Sequence, residues 1–188
     1  GFMKRVKKNF DVFKVRGSAG YTGKVSFSPF QALTMYQYSN EYEYKNGIGA
    51  IPITIGNIDL TWERTTQTNV GLDWTMFKNR LSINFDWYYK YTTDMLMWVS
   101  LPAGSAAVSS IQRNEGEMSN MGVELTITSH NFVKKNFKWD TQLNISHNKN
   151  RLEKLATSQV YYDAKVTDVL ADYCVRNTPG MPLGSFYG

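Results

Sequence analysis

The chain has 188 residues, a formal net charge of +5 and a mean hydropathy of −0.40. No run of about 18 or more consecutive apolar residues occurs, which excludes a transmembrane helix. The single cysteine, Cys174, cannot form an intrachain disulfide, and two histidines offer no Cys/His metal-ligand spacing. The basic residues are scattered or lie in predicted turns, without a stripe of interleaved aromatics, so we expect no nucleic-acid partner.

The first predicted strand covers about residues 9–21, where apolar and polar side chains alternate, as they do in a strand with one apolar and one polar face. The apolar face holds Phe13, Val15 and Ala19, and the polar face holds Lys14, Arg16 and Ser18.

Residues 22–62 are predicted to form a long connection with four tyrosines at its centre, namely Tyr36, Tyr38, Tyr42 and Tyr44. Connections of this length are usually functional or disordered, and this one is too aromatic for disorder. Sugar rings pack on aromatic planes and tyrosine hydroxyls can bond their hydroxyls, so the four tyrosines are the candidate ligand-binding residues. The alternative, which the sequence favours, is that the loop packs on its neighbours.

Two hairpins with very short turns follow, and each keeps an apolar and a polar face through its turn. In the first, the turn is at residues 77–79, and the apolar face holds Val70, Leu72, Trp74, Met76, Leu81, Ile83, Phe85, Trp87 and Tyr89, opposite Asn69, Asp73, Thr75, Ser82, Asn84 and Asp86. In the second, the turn is at residues 134–136, and the apolar face holds Val123, Leu125, Ile127, Trp139, Leu143 and Ile145, opposite Glu124, Thr126, Thr128, Asp140, Gln142 and Asn144. This pattern predicts an antiparallel meander.

Short and long connections alternate along the chain. Residues 22–64, 99–119 and 150–180 are predicted to be loops on one side of the sheet, with a short strand near residues 160–162, and the two tight turns lie on the other side. We therefore expect short periplasmic turns and long extracellular loops, as in outer-membrane barrels.

Strand length favours a membrane barrel over a soluble sheet. Residues 80–98 contain no proline or glycine, and at about 3.3 Å per residue such a strand would extend roughly 60 Å. Soluble strands usually stop at about 3–10 residues. The alternative is a soluble or surface-exposed β-sheet module that binds carbohydrate. Five strands cannot close a membrane barrel, so we expect part of a larger one.

Several stretches of the chain, in order, resemble SusC/RagA-like TonB-dependent outer-membrane transporters. They are LTWERTTQTNVGLD at 60–73, FDWYYKYTTDML at 85–96, NEGEMSNMGVEL at 114–125, and the segments 15–23, 139–150 and 180–188. The resemblance implies an all-β fold that is part of a large transmembrane barrel of about 22 strands with a plugged lumen. It also implies a location in the outer membrane of a Gram-negative cell.

The same resemblance implies import of large nutrients such as oligosaccharides or peptides, with energy relayed by TonB and a SusD-like surface lipoprotein as partner. The four tyrosines would then contact substrate or pack against the lipoprotein. The chain resembles neither the plug domain nor the TonB box of such transporters, and we expect it to be an interior barrel segment over residues 1–188. Polar residues such as Asp73, Asn84, Asp86, Gln142 and Asn144 would face the lumen.

No arrangement of residues predicts catalysis. The carboxylates Glu115, Glu117 and Glu124 are close in sequence, but no pattern places two of them as a general acid and base. We expect no enzyme activity, no cofactor and no metal site. Cys174 is expected to be a loop thiol without a role.

Overall fold

The computed structural model describes residues 10–44, 47–102, 108–155, 161–162 and 175–186, with side chains described outside 39–44 and 161–162. Over these ranges the chain is all-β apart from a 3-10 helix at Pro29–Ala32. The strands are β1 (Phe10–Lys24), β2 (Met35–Tyr44), β3 (Gly47–Thr54), β4 (Glu63–Met76), β5 (Leu81–Ser100), β6 (Ser110–Lys134), β7 (Phe137–Lys154), β8 (Tyr161–Tyr162), β9 (Val175–Asn177) and β10 (Ser185–Phe186).

The five long strands form one sheet in the order β1-β4-β5-β6-β7. Partners across β1 and β4 run in opposite sequence directions, since Arg16 meets Asp73 while Ser18 meets Asn69. The predicted antiparallel meander is therefore confirmed. Two small sheets accompany it, the antiparallel pair β2–β3 and the three short strands in the order β10-β9-β8.

Both predicted turns are present. Residues 77–80 join β4 to β5, and residues 135–136 join β6 to β7. In the first turn Phe77, Lys78 and Asn79 all have positive φ, between 57° and 63°. L-residues adopt this left-handed region at a cost, and a hydrogen bond from the Asn79 N–H to Asp11 Oδ2 (2.8 Å) on β1 supports it.

The predicted connections were wrong in part. The 22–62 segment is not a structureless loop, because it holds the 3-10 helix and the β2–β3 hairpin. Its glycines and Pro52 indicated a loop, yet Pro52 lies in β3, where a two-stranded sheet leaves one side of the strand unpaired and so tolerates proline.

The other two long connections are shorter than predicted. β5 runs to Ser100 and β6 begins at Ser110, so residues 110–119 are strand rather than loop. β7 likewise continues to Lys154. The short strand expected near residues 160–162 is confirmed at Tyr161–Tyr162, and Cys174 lies outside the described residues.

The described residues fall into two compact units. Unit 1 contains 10–21, 66–91 and 119–150, and unit 2 contains 22–44, 47–65, 92–102, 108–118, 151–155, 161–162 and 175–186. Few large apolar side chains are buried in either unit: Met76 in unit 1, and Val99, Leu152 and Leu155 in unit 2. In unit 2 the Leu152 backbone bonds Met181 O (2.9 Å) and the Gly180 N–H (2.7 Å), which fixes the end of β7 to the turn before β10.

No helix in the described part of the chain is long and apolar enough to cross a membrane.

Candidate functional site

In unit 1, the side chain of Arg16 on β1 extends across β4 and reaches β5. Arg16 on β1 donates from Nε and Nη2 to the Asp73 carboxylate on β4 (2.9 and 3.0 Å) and from Nη2 to both Asp86 oxygens on β5 (3.0 and 3.1 Å). Asn84 Nδ2 donates to Asp73 Oδ1 (3.0 Å). The guanidinium passes over Gly71, where a Cβ would lie 2.8 Å from Arg16 Cζ. Only glycine leaves room for this crossing.

A second crossing has the same design. Tyr88 on β5 passes over Gly122 on β6 and donates from its hydroxyl to Asn148 Oδ1 on β7 (3.0 Å). A Cβ at position 122 would lie 2.5 Å from the Tyr88 hydroxyl oxygen and 2.8 Å from His147 O. Lys90 Nζ lies 5.6 Å from the centre of the Tyr88 ring, within cation–π range.

Another polar pair continues this face toward the 135–136 turn, where His130 Nδ1 and Asp140 Oδ1 are 2.6 Å apart. On the opposite face, Asn131 Nδ2 donates to Thr141 Oγ1 (2.7 Å). Three of the residues predicted to face the lumen, Asp73, Asn84 and Asp86, therefore meet in one network, and the other two, Gln142 and Asn144, bond each other (3.4 Å). Whether these groups also contact substrate or a plug stays a prediction.

Unit 2 contains a cleft of about 510 Å³ beside the β2–β3 hairpin. The 3-10 helix, β2, β3 and the segments around Trp98 and residues 108–112 form its walls. Its main apolar side chains are Phe30, Met35, Ile51, Ile53, Ile55 and Trp98. The volume lies within the range of roughly 300–1,000 Å³ found for small-molecule sites.

Two polar atoms in the cleft lining have no hydrogen-bond partner. They are Thr54 Oγ1 on β3 and Gln112 Oε1 on β6, and both are buried from solvent. Buried polar atoms are nearly always paired in folded proteins, so each such atom calls for an explanation.

Side-chain amides hold the segment before β4 against the strands beside this cleft. Asn57 Nδ2 donates to the Gln112 carbonyl (2.9 Å), which ties the segment before β4 to β6. Asn114 accepts from the Thr61 N–H (2.9 Å) and donates to Thr61 O (2.7 Å) and Asp94 O (2.8 Å). One asparagine thus holds that segment against β5 and β6.

The four predicted tyrosines all belong to β2, and of the two with described side chains, Tyr36 and Tyr38, neither lines the cleft. Tyr36 and Tyr38 are 61% and 76% exposed and pair in register with Pro52 and Ala50 on β3. The side chains of Tyr42 and Tyr44 lie outside the described ones. Their role as ligand-binding residues stays a prediction.

Sequence reasoning missed the residues that line the cleft. A signal was present in the apolar alternation of Ile51, Ile53 and Ile55, which indicates a strand where a loop was expected. Trp98 near the end of β5 also contributes to the cleft. Phe30 gave no signal, because only the tertiary fold brings it there.

The described part of the chain contains no group of three or more metal-ligating side chains. Of the clustered carboxylates, Glu115 accepts from Arg113 Nη1 (3.1 Å) and Glu117 lies 3.6 Å from Lys154 Nζ. Both carboxylates are therefore parts of surface ion pairs.

The model of the family described as "TonB dependent receptor-like, beta-barrel" matches residues 8–180. The chain belongs to the TonB-dependent receptor β-barrel family. This family is an outer-membrane family of transporters and receptors rather than enzymes, and the chain is SusC-like within it. The match also sets aside the alternative of a soluble carbohydrate-binding sheet.

Relatives and solved structures agree with this assignment. The chain is 35% identical to TonB-dependent receptor P3 of Formosa agariphila over 94% of its length, and 33% identical to TonB-dependent receptor SusC of Bacteroides thetaiotaomicron over 82%. It is also similar to the RagAB peptide importer in the closed-closed state, with a TM-score of 0.78 and 27% identity over 98% of the chain. The chain spans 16–20% of the length of these proteins.

Proposed function

We propose that the complete protein is a TonB-dependent outer-membrane importer of large nutrients, either oligosaccharides or peptides, and that this chain forms part of its barrel wall. The family match over residues 8–180 is the observation that carries the proposal. The similarity to SusC and to the RagAB peptide importer supports both nutrient classes without choosing between them.

The two faces of the sheet suit such a wall. Transmembrane barrel strands alternate apolar residues toward lipid with polar residues toward the lumen. The Arg16 network and the Tyr88 crossing lie on the polar face, while Leu143 and Ile145 on the other face of β7 are exposed. In this arrangement the apolar face meets outer-membrane lipid.

The partners follow from the same assignment. The long connections would lie outside the cell, where a SusD-like lipoprotein covers the barrel, and TonB would act through regions outside this chain. Tyr36, Tyr38, Tyr42 and Tyr44 would contact the substrate or the lipoprotein, and the exposure of Tyr36 and Tyr38 supports this role.

Deletion of the gene for the complete protein in its native host tests the function. We expect loss of growth on one class of nutrient, peptides or oligosaccharides, when that class is the sole source. Growth should return with the complete protein and stay absent in a strain that lacks TonB. Unchanged growth and uptake on both classes would contradict the proposal.

Substitution of the tyrosines tests the site. Tyr36→Ala and Tyr38→Ala should each lower uptake roughly two- to tenfold, since an aromatic contact contributes about 0.5–1.5 kcal/mol. Tyr21→Ala is the matched control, because Tyr21 is 85% exposed on β1 in unit 1. Equal effects of all three substitutions would refute a specific role for the β2 tyrosines.

A further inference from the structure

We propose that the end of unit 1 at the two tight turns binds the anionic headgroups of membrane phospholipids. Its binding groups are five basic side chains, which we call the basic rim: Lys78, Arg80, Lys134, Lys135 and Lys138. The inference goes beyond nutrient import and rests on the barrel lying in a membrane.

The two turns bring the basic rim to one end of the main sheet. Lys78 and Arg80 lie in the first turn, and Lys134 ends β6 beside the second. The His130 N–H donates to Arg80 O (2.8 Å), so the first turn lies next to the last residues of β6. All five basic residues are exposed. This end of unit 1 therefore presents five positive charges to its surroundings.

The basic rim has little negative charge to pair with. Among the described residues of this end, the two acidic ones already have partners, since Asp11 accepts from the Asn79 N–H and Asp140 contacts His130. None of the five basic side chains forms an ion pair within the described part of the chain. Their charges are left for a partner outside it.

Four cations of unit 2 show the opposite arrangement. Arg64, Arg113, Arg151 and Lys154 each pair with a carboxylate, at N–O distances of 2.7–3.6 Å. The sequence thus supplies carboxylates beside these cations and none that pair with the basic rim. This contrast indicates that the partner of the basic rim is a separate molecule with negative charge.

Aromatic clusters on the apolar face place this end of unit 1 at a membrane surface. Phe132 stacks on Trp139, with ring centres 5.7 Å apart, and Phe10 stacks on Trp74 at 5.4 Å. Trp74 is near the end of β4 and Trp139 near the start of β7, so both clusters lie beside the turns. Aromatic side chains of this kind gather where lipid hydrocarbon meets the headgroups. The basic rim, at the turns themselves, then lies at the level of the headgroups.

Phospholipid fits this surface better than an acidic protein does. The rest of a barrel continues the sheet from its edge strands, here β1 and β7, and leaves the turns and the lipid-facing side uncovered. Lysine and arginine bind phosphate oxygens through charge-assisted hydrogen bonds. Each such residue near an anionic membrane raises the affinity about fivefold, provided that it lies within about 10 Å of the surface.

Photolabelling of the complete protein in phosphatidylcholine vesicles tests this inference. The vesicles carry a trace of phosphatidylglycerol or of phosphatidylcholine with a diazirine near the headgroup, and mass spectrometry measures the label on residues 130–142. We expect the anionic probe to label this segment at least about fivefold more than the neutral probe at low salt. The preference should fall at least about threefold in about 0.5 M salt, because salt screens the attraction.

A double variant tests whether the basic rim causes the preference. Lys135→Gln combined with Lys138→Gln removes two of its charges, and we expect the preference for the anionic probe to fall at least about threefold. Lys24→Gln combined with Lys149→Gln is the matched control. It gives the same net charge and changes two exposed lysines that lie far from the turns along β1 and β7. The heat-dependent gel shift of the folded barrel checks that both double variants fold.

Three outcomes overturn the lipid site. They are equal labelling by the two probes in the unsubstituted protein, an equal loss of preference in both double variants, and a preference that salt does not change. A carbodiimide cross-link from Lys135 to an acidic protein segment, together with equal labelling by the two probes, would assign the basic rim to a protein partner. Lipid preference in a protein that imports neither nutrient class contradicts the proposed function alone.

Discussion

Replacement of Gly122 by alanine should destabilise the barrel, because the new methyl group has no room. A Cβ at this position would lie 2.5 Å from the Tyr88 hydroxyl oxygen, 2.6 Å from Tyr88 Cζ and 2.8 Å from His147 O. The first two atoms belong to the rigid phenol group of Tyr88, and the third belongs to the backbone of β7. Tyr88 must therefore leave its position, or β6 and β7 must separate.

The magnitude follows from these contacts. Overpacking typically costs about 1–3 kcal/mol, and loss of the Tyr88–Asn148 hydrogen bond adds about 0.5–1.5 kcal/mol. Alanine regains about 0.5–1 kcal/mol because glycine loses more backbone entropy on folding. We expect Gly122→Ala to lower the free energy of unfolding by about 2 kcal/mol.

The assay is denaturant unfolding of the complete protein in lipid vesicles, followed by the heat-dependent shift of folded barrel in gel electrophoresis. Gly17→Ala is the control, since no atom lies within 4 Å of a Cβ there, and it should be neutral or slightly stabilising. In the Gly122→Ala background, Tyr88→Ala should cost less than it does alone. The reasoning fails if the Gly122→Ala and Gly17→Ala variants have the same stability. It also fails if the effects of Gly122→Ala and Tyr88→Ala are additive.

Three further substitutions test which face of the sheet meets lipid, the turn at residues 77–80, and the hydrogen bonds of Asn114, each by the same unfolding assay. Leu143→Arg should destabilise the barrel by about 2–4 kcal/mol if its face meets lipid, while Asn144→Arg on the polar face should cost far less; reversed costs would refute the face assignment. Lys78→Gly should stabilise by about 1 kcal/mol, because glycine adopts the positive φ of this turn without a Cβ clash; a loss of stability would contradict this. Asn114→Ala should cost about 1–3 kcal/mol and speed proteolysis of residues 55–62, since it removes the bonds to Thr61. Unchanged proteolysis would show that the Asn114 hydrogen bonds do not hold this segment.

The long hairpins were predictable because their faces differ in polarity at every second residue. That alternation predicts Asp73 and Asn84 on one face, and in the structure these two side chains are hydrogen-bonded. The turn at residues 77–79 was predictable from the reversal of the pattern around it, although its three left-handed residues were not, since none is glycine.

The connections and the cleft were not predictable for a different reason. Glycine and proline suggested loop between residues 47 and 56, yet a two-stranded sheet accepts Pro52 because its outer side needs no donor. The cleft is lined by Phe30, Ile53 and Trp98, which are far apart in sequence. No local pattern encodes such a meeting.

The two glycine crossings meet on β5, and this has a consequence for register. Asp86 receives the crossing that starts at β1, and Tyr88, two residues later on the same face, begins the one that ends at β7. Together their side-chain hydrogen bonds join β1, β4, β5 and β7, and the Tyr88 side chain crosses β6 at Gly122. A slip of one residue would turn these side chains to the other face and put a side chain where Gly71 or Gly122 must be. Gly71 and Gly122 therefore favour a single register, because the Arg16 and Tyr88 side chains can cross the neighbouring strand only where a glycine lies beneath them.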